Sequence, residues 1–289
     1  APGNGAVTGT TVTYGESLPS LSVSVNGADA TAYNADNFEF VDTTTKSVVT
    51  ADKLPAGSYT VQLTQAAQDA LSKANGNFKL TFGTGTLTVN KRPIMVTIKD
   101  VTATYNGSAP ATNGYSVPDD ALVPGDTLTD LGVTLAPISQ ANAGTYSDAV
   151  TGTAKSDNYD VTVVPGKLTI AQATSSVDLS AATMVYGDTF PTFTSTDNVP
   201  GTTSTINQPD FEIVDTTGNA VDASKVQANG KYTLQLSQTA KNRLISENPN
   251  YAITFGTSTL TVKPRPVSVT AKNTDKTYGQ ADPDLELTD

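Results

Sequence analysis

Cysteine, histidine and tryptophan are all missing from this sequence. Without Cys there is no thiolate nucleophile and no disulfide, and without His there is no imidazole base; lacking both, a zinc centre of the usual nitrogen and sulfur kind is excluded. The absent indoles remove much of the stacking surface on which a sugar cleft depends. A glycosidase also needs two acids facing across such a cleft, which small Trp-free modules scarcely provide. No motif marks a Ser–Lys nucleophile. Basic side chains are few, 17 Lys and Arg against 28 Asp and Glu, for a formal charge of −11. The chain therefore lacks the basic face that nucleic-acid binding demands. No apolar run approaches the roughly 18 residues that span a bilayer. Composition implies a soluble, acidic protein that is not an enzyme.

Internal repetition dominates what is present. Tyr14-Gly15-Glu16 returns as Tyr186-Gly187-Asp188, and Phe38-Glu39-Phe40-Val41-Asp42-Thr43-Thr44 as Phe211-Glu212-Ile213-Val214-Asp215-Thr216-Thr217. Tyr59-Thr60-Val61-Gln62-Leu63 returns as Tyr232-Thr233-Leu234-Gln235-Leu236, and Thr81-Phe82-Gly83-Thr84 as Thr254-Phe255-Gly256-Thr257. From Phe38 through Phe82 the offset is a constant 173 residues. A second unit intervenes, and its opening Arg92-Pro93-Ile94-Met95-Val96-Thr97 recurs at the same spacing as Arg265-Pro266-Val267-Ser268-Val269-Thr270. The order is thus A (1–90), B (91–173), A′ (174–263) and the start of B′ (264–289). A partial B′ has no partner for its apolar face, as expected of an incomplete repeat, so it is expected to be partly ordered at best.

In the A units, Tyr59–Leu63 and Tyr232–Leu236 alternate as half-buried strands. Thr64 and Ser237 are placed to cap helices whose apolar pairs are Ala67/Leu71 and Ala240/Leu244, and which end at Asn75-Gly76 and Asn248-Pro249. Strands are expected at Phe78–Phe82 with Thr86–Val89, and at Tyr251–Phe255 with Thr259–Val262, each pair closing as a hairpin over a Gly-Thr turn. One helix across a sheet makes A a β-grasp-like α+β module. B shows no helical period and reads as all-β, with strands at 94–99, 101–105, 127–135, 145–152, 159–164 and 167–170. The fold class is mainly β with α+β modules, in tandem. Short proline-bearing links, Val89–Pro93 and Val262–Pro266, predict a semi-rigid rod.

The residues of B then form a series: Tyr105-Asn106-Gly107, Val123-Pro124-Gly125-Asp126-Thr127-Leu128, Ala143-Gly144-Thr145-Tyr146, Asp157-Asn158-Tyr159 and Gly166-Lys167-Leu168-Thr169-Ile170. This resembles the MBG-type (mostly beta, glycine-rich) repeats of Gram-positive, especially lactobacillal, cell-surface adhesins, and Tyr278-Gly279-Gln280-Ala281-Asp282-Pro283 is similar to their opening motif. The A units resemble related repeats beside them, including those of mucus-binding proteins. The resemblance implies an extracellular, wall-anchored stalk with mucin, another host glycoprotein or a polysaccharide as partner, and self-association as a further option. It equally allows a passive spacer, or an accessory module of a large wall-bound enzyme. The polar start, Ala1–Gly5, shows no signal peptide and the end no sorting signal, as expected of an excerpt. Cysteine-free composition fits export from a Gram-positive cell, where secreted proteins often do without the disulfides of small eukaryotic domains.

No catalytic, cofactor or metal residue is assigned from the sequence, and the ligand-binding residues are unknown. Several groups are nonetheless weighed. Tyr14, Tyr186 and Tyr278 are either aromatic ligand platforms or, more simply, sheet-edge tyrosines whose glycines take positive φ. Asp119, Asp120, Asp126 and Asp130 are carboxylates for a calcium ion, which takes about 6–8 oxygens, or merely solvated turns; Asp282 and Asp284 raise the same choice. Asn158 or Asn250 could serve in principle in a Lys–Asn isopeptide crosslink, which would need a buried Lys, Asn and acid in contact, and nothing in the sequence specifies one. Thr43–Thr45 and Thr202–Thr205 are sites for O-glycans or ordinary turn residues. Phe38/Phe40 and Phe78/Phe82 are expected in the core.

Overall fold

The computed structural model describes the chain apart from residues 1–2, 8, 19, 26–30, 34, 199–204 and 289. It forms two compact units, one of residues 1–103, 109–141 and 145–169, the other of residues 104–108, 142–144 and 170–289. The fold is mainly β with α+β modules.

The repeated Phe-Glu-x-Val-Asp-Thr-Thr motif has a structural cause at each position. In the strand Phe38–Asp42, Phe38 and Phe40 point inward and are buried. They pair with Leu63 and Val61 of the antiparallel strand Gly57–Leu63. Between them Glu39 faces out and accepts from Gln62 at 3.0 Å; Glu212 and Gln235 repeat this at 3.0 Å. The turn closes on Asp42, whose carboxylate accepts from the Thr44 and Thr45 amides at 2.7 and 2.8 Å. These donors hold its pKa below the ordinary value. Asp215 does the same with Thr217 and Asn219.

The helices are capped as the residue pattern implies. Helix α1 (Gln65–Ala74) begins with the Thr64 side chain accepting from the Ala67 amide, and α2 (Gln238–Glu247) with Ser237 accepting from Ala240, both at 3.2 Å. Asn75 and Asn248 end them, each side chain donating back to a carbonyl of the last turn. Ala240 and Leu244 bury against Val177 and Leu236.

The expected closing hairpins do not form. Leu80–Phe82 pairs parallel to Gly3–Val7 in one sheet, whereas Gly85–Asn90 lies between Thr10–Thr13 and Gly57–Leu63 in another. In A′, Tyr251–Phe255 runs parallel to Ala173–Leu179, and Ser258–Lys263 parallel to Ala182–Val185. The Gly-Thr link therefore carries the chain between sheets, because two successive N-terminal strands offer a parallel partner to each half. Phe78 precedes the shortened strand and is 48% exposed, so it is not core.

In B, Arg92–Ile98 runs parallel to Tyr159–Val164, with Ile94, Val96 and Ile98 buried on one face. Residues 127–131 are not strand. Thr127 and Asp130 form a capping box around the 3-10 turn Leu128–Leu131, and Gly132 reverses the chain before Val133–Leu135. Leu131, fully buried, joins a core that runs unbroken from Tyr14, Phe40 and Leu87 of A to Ile94, Val96 and Tyr159 of B. Residues 265–289 repeat the opening of B, but Val267, Val269 and Leu287 are 59–71% exposed, and among the described residues of this segment the strand pairing is confined to Thr270–Ala271 with Leu287–Thr288.

Candidate functional site

Asp126, in the turn after Val123-Pro124-Gly125, accepts hydrogen bonds from three side chains. It belongs to B by sequence, yet its donors come from both repeats. Tyr14 Oη of A donates at 3.0 Å, Tyr159 Oη of B at 2.6 Å, and Lys53 Nζ of A at 2.5 Å. Each donor is placed by local structure. Tyr14 follows the strand Thr10–Thr13, its amide bonded to the Asn90 carbonyl. Lys53 ends the 3-10 turn Ala51–Lys53, and Tyr159 opens the strand beside Arg92–Ile98. The Tyr14 and Tyr159 rings meet edge to face at 5.6 Å, and the Lys53 ammonium lies 5.7 Å from the Tyr14 centroid.

Electrostatics follow from this geometry. Burial alone would raise the Asp126 pKa, but hydrogen bonds from Lys53, Tyr159 and Tyr14 outweigh it and hold the carboxyl below its ordinary value. Burial, reinforced by Asp126, pushes the Tyr159 phenol up to about 12 and raises Tyr14. Lys53 is raised by its bond to the carboxylate. Tyr159 Oη also accepts from the Val123 amide at 2.8 Å, which pins the loop carrying Asp126. Around the cluster, Asn158 Oδ1 accepts from the Ala56 amide at 3.0 Å and Lys91 Nζ reaches the Ser156 carbonyl at 2.6 Å. Gly15, at φ +84°, leaves room for Val123; a Cβ there would sit 2.3 Å from Cγ2. The Asp126 contacts to Tyr14 and Lys53 and the Asn158 contact to Ala56 join A to B, while the Tyr159–Val123 and Lys91–Ser156 contacts brace B itself.

The joint recurs within the second unit. Tyr105 meets Tyr251 edge to face at 5.4 Å, and Asn250 Oδ1 accepts from the Ala143 amide at 2.8 Å. The backbone bonds match too. Arg92 N to Asn158 O at 2.9 Å is repeated as Ala173 N to Asn250 O at 3.0 Å, and Tyr14 N to Asn90 O at 2.9 Å as Tyr105 N to Ala171 O at 2.8 Å.

The residues weighed from the sequence resolve accordingly. Tyr14 is an internal joint residue, 3% exposed, while Tyr186 and Tyr278 are 43% and fully exposed. Their glycines all take φ between +84° and +88°. Asp126 serves the joint and Asp130 the capping box, while Asp119 and Asp120 are exposed. Among the described residues no group of three or more acidic side chains is placed to hold a metal. Asn158 and Asn250 each accept from a backbone amide of a neighbouring segment, Ala56 and Ala143. Thr202, Thr203 and Ser204 lie outside the described residues. Sequence reasoning does not bring Asp126 together with Lys53, since their separation of 73 residues leaves no local pattern. A signal did exist in the recurrence of Val123-Pro124-Gly125 as Val199-Pro200-Gly201, ahead of Asn158-Tyr159 and Asn250-Tyr251.

The family model described as MBG domain matches residues 4–91 and 148–264, and that described as MBG domain (YGX type) matches residues 94–169. A cell surface adhesin from Lactobacillus reuteri is 25% identical, covering 32% of this chain and 99% of its own, at a TM-score of 0.25. The Bacillus anthracis TIE protein is 10% identical over 89% of this chain and 56% of its own, at 0.22. The titin I-band fragment I67–I69 is 8% identical over 91% and 98%, at 0.25. These scores are too low to assign the arrangement of the whole chain. No curated protein matches the sequence. With the Tyr-Gly turns, the joint they build and the family models over most of its length, the chain belongs to the MBG domain family.

Proposed function

We propose that this chain is the tandem-repeat region of a bacterial surface adhesin, bearing or projecting contacts to mucus glycoproteins or to other cells. The Asp126 joint carries the reading. A non-enzymatic repeat that commits its most buried ionisable cluster to coupling neighbours is suited to transmitting position and force along a surface protein. The L. reuteri adhesin similarity supports the class of protein, and the absence of His and Cys removes imidazole and thiolate chemistry. Each module would bind weakly and gain through multivalency, since tandem copies raise effective concentration without new contacts.

At a charge of −11 the chain is repelled by sialylated or sulfated mucin, a repulsion that protonation of exposed carboxylates below about pH 4.5 relieves. The test is binding of the purified chain to immobilised gastrointestinal mucin at pH 4 and pH 7, with deglycosylated mucin alongside. Saturable binding, tighter at pH 4 and lost on deglycosylation, is expected. No binding at either pH would leave the chain a spacer that holds a separate adhesive domain away from the wall, a role the joint also serves.

A further inference from the structure

A′ carries the A half of the Asp126 joint without its other half. Tyr186 occupies the place of Tyr14, its amide bonded to the Lys263 carbonyl at 2.8 Å as Tyr14 N is to Asn90 O. Gly187 adopts φ +88° like Gly15 at +84°. Lys225 ends the 3-10 turn Ala223–Lys225 as Lys53 ends Ala51–Lys53, and each is followed by a buried core residue, Val226 and Leu54. Tyr186 is nevertheless 43% exposed where Tyr14 is 3%. Lys225 has only a long contact of 3.8 Å to Asp222, both groups well exposed, so it is worth little. The space over Gly187, filled over Gly15 by Val123, is taken by Arg265: its Nη2 lies 3.3 Å from where a Cβ would stand, its Nε donates to the Tyr186 carbonyl at 2.9 Å and it pairs with Asp188. The matching Arg92 is instead turned to the Ala121 carbonyl of its own repeat.

We propose that the Tyr186 face is a docking surface for a further MBG-type module of the B kind. That module seats a loop carboxylate between Tyr186 and Lys225 and stacks an Asn-Tyr tyrosine on the Tyr186 ring. Arg265 covers the turn until the incoming Val-Pro-Gly loop displaces it toward a loop carbonyl, the position Arg92 already holds. The occupant is set by complementarity seen in the same molecule, since the equivalent face of A is filled by such a loop and such a tyrosine. The inference concerns assembly and is independent of whether mucin is bound.

The experiment replaces residues 264–289 with a second copy of residues 91–173 and follows tetranitromethane nitration of Tyr186 by peptide mapping. In the parent chain Tyr186 is expected to be nitrated readily, with Tyr14 and Tyr159 protected. In the extended chain Tyr186 should be protected about ten-fold, the scale of a site that reacts only through local opening. Changing the grafted Asp126 to Ala should restore its reactivity, and Lys225→Met should restore it in part, while Tyr14 stays protected. Tyr186 remaining fully reactive beside a folded graft, shown by protection of the grafted Tyr159, would overturn the proposal. Failure of the graft to fold after A′ would overturn it as well, because the same sequence folds after A.

Discussion

Replacing Asp126 by alanine isolates the joint from the cores on either side of it. The carboxylate accepts from two phenols and one ammonium, and its side chain is 10% exposed. Removal leaves the hydroxyl protons of Tyr159 and Tyr14, residues 1% and 3% exposed, without their acceptor, although Tyr159 Oη still accepts from the Val123 amide. A buried polar group left without its partner costs about 1–3 kcal/mol. Lys53, at 38% side-chain exposure, re-solvates cheaply, and its pairing adds no more than about 1 kcal/mol. Asp126→Ala should therefore destabilise the first unit by roughly 3–5 kcal/mol, in the range for breaking one side of a buried pair. Lys53→Met should cost about 1 kcal/mol or less. Asp126→Asn keeps one acceptor oxygen and should fall between the two.

The assay is differential scanning calorimetry with a double-mutant cycle. Because the buried core of A continues into B, the parent should melt these repeats together, and Asp126→Ala should split the transition. Tyr14→Phe should cost about 1 kcal/mol in the parent and close to nothing on the Asp126→Ala background, since its acceptor is already gone. A cost below about 0.5 kcal/mol for Asp126→Ala, within the usual scatter of surface changes, would refute the reasoning, as would full additivity with Tyr14→Phe.

The pH dependence has two limbs. Asp126 is depressed in the folded state, so its stabilisation is present above the unfolded value of about 3.9 and is lost as pH falls through the lower folded value; an acid titration by calorimetry should show the joint persisting at pH 4. Tyr159 is raised to about 12, so its contribution is full below the ordinary value of about 10 and disappears as pH climbs between the two, removing about 3 kcal/mol; phenolate absorbance should show late-titrating tyrosines, Tyr159, Tyr14 and Tyr59, that become ordinary on unfolding. Gly15→Ala should cost roughly 2–4 kcal/mol and Gly107→Ala about 1–2 kcal/mol, since both need positive φ but only a Gly15 side chain strikes Val123; equal losses in urea melts would remove the close approach from the argument. Thr64→Ala and Ser237→Ala should each cost about 1 kcal/mol through the lost cap, measured by the same melts.

Local chemistry made much of the fold legible. The Thr64 and Ser237 caps, the Asn75 and Asn248 stops and the inward Phe38 and Phe40 are decided within a few residues, so one sequence suffices to place them. Strand partners are not local. Phe82-Gly83-Thr84 looks like a hairpin turn because its residues permit one, but Leu80–Phe82 finds a parallel partner in Gly3–Val7, over 70 residues upstream. Thr127–Leu131 has strand composition, yet Asp130 three residues after Thr127 closes a capping box that competes successfully with extension. The joint was the least legible element, for it needs Tyr14, Lys53, Asp126 and Tyr159 together and each alone is an ordinary turn or strand residue.

Repetition separates what a motif does by itself from what its neighbour does to it. Tyr14, Tyr105, Tyr186 and Tyr278 all precede or lie near a glycine at φ +84° to +88°, so the turn is intrinsic to the sequence and survives in every setting. Burial is not intrinsic. It runs from 3% at Tyr14 through partial at Tyr105 to 43% at Tyr186 and full exposure at Tyr278, following whether an Asn-Tyr partner is packed on the ring. The strand after the link behaves likewise, with Ile94 and Val96 at 6% and 0% while their counterparts Val267 and Val269 stand at 71% and 59%. An apolar residue that the local pattern holds ready but only a neighbour buries gains its stability from the interface between repeats. Cooperativity along the array is then set residue by residue at these positions, and substitutions there should change how far unfolding spreads more than they change the melting of any single repeat.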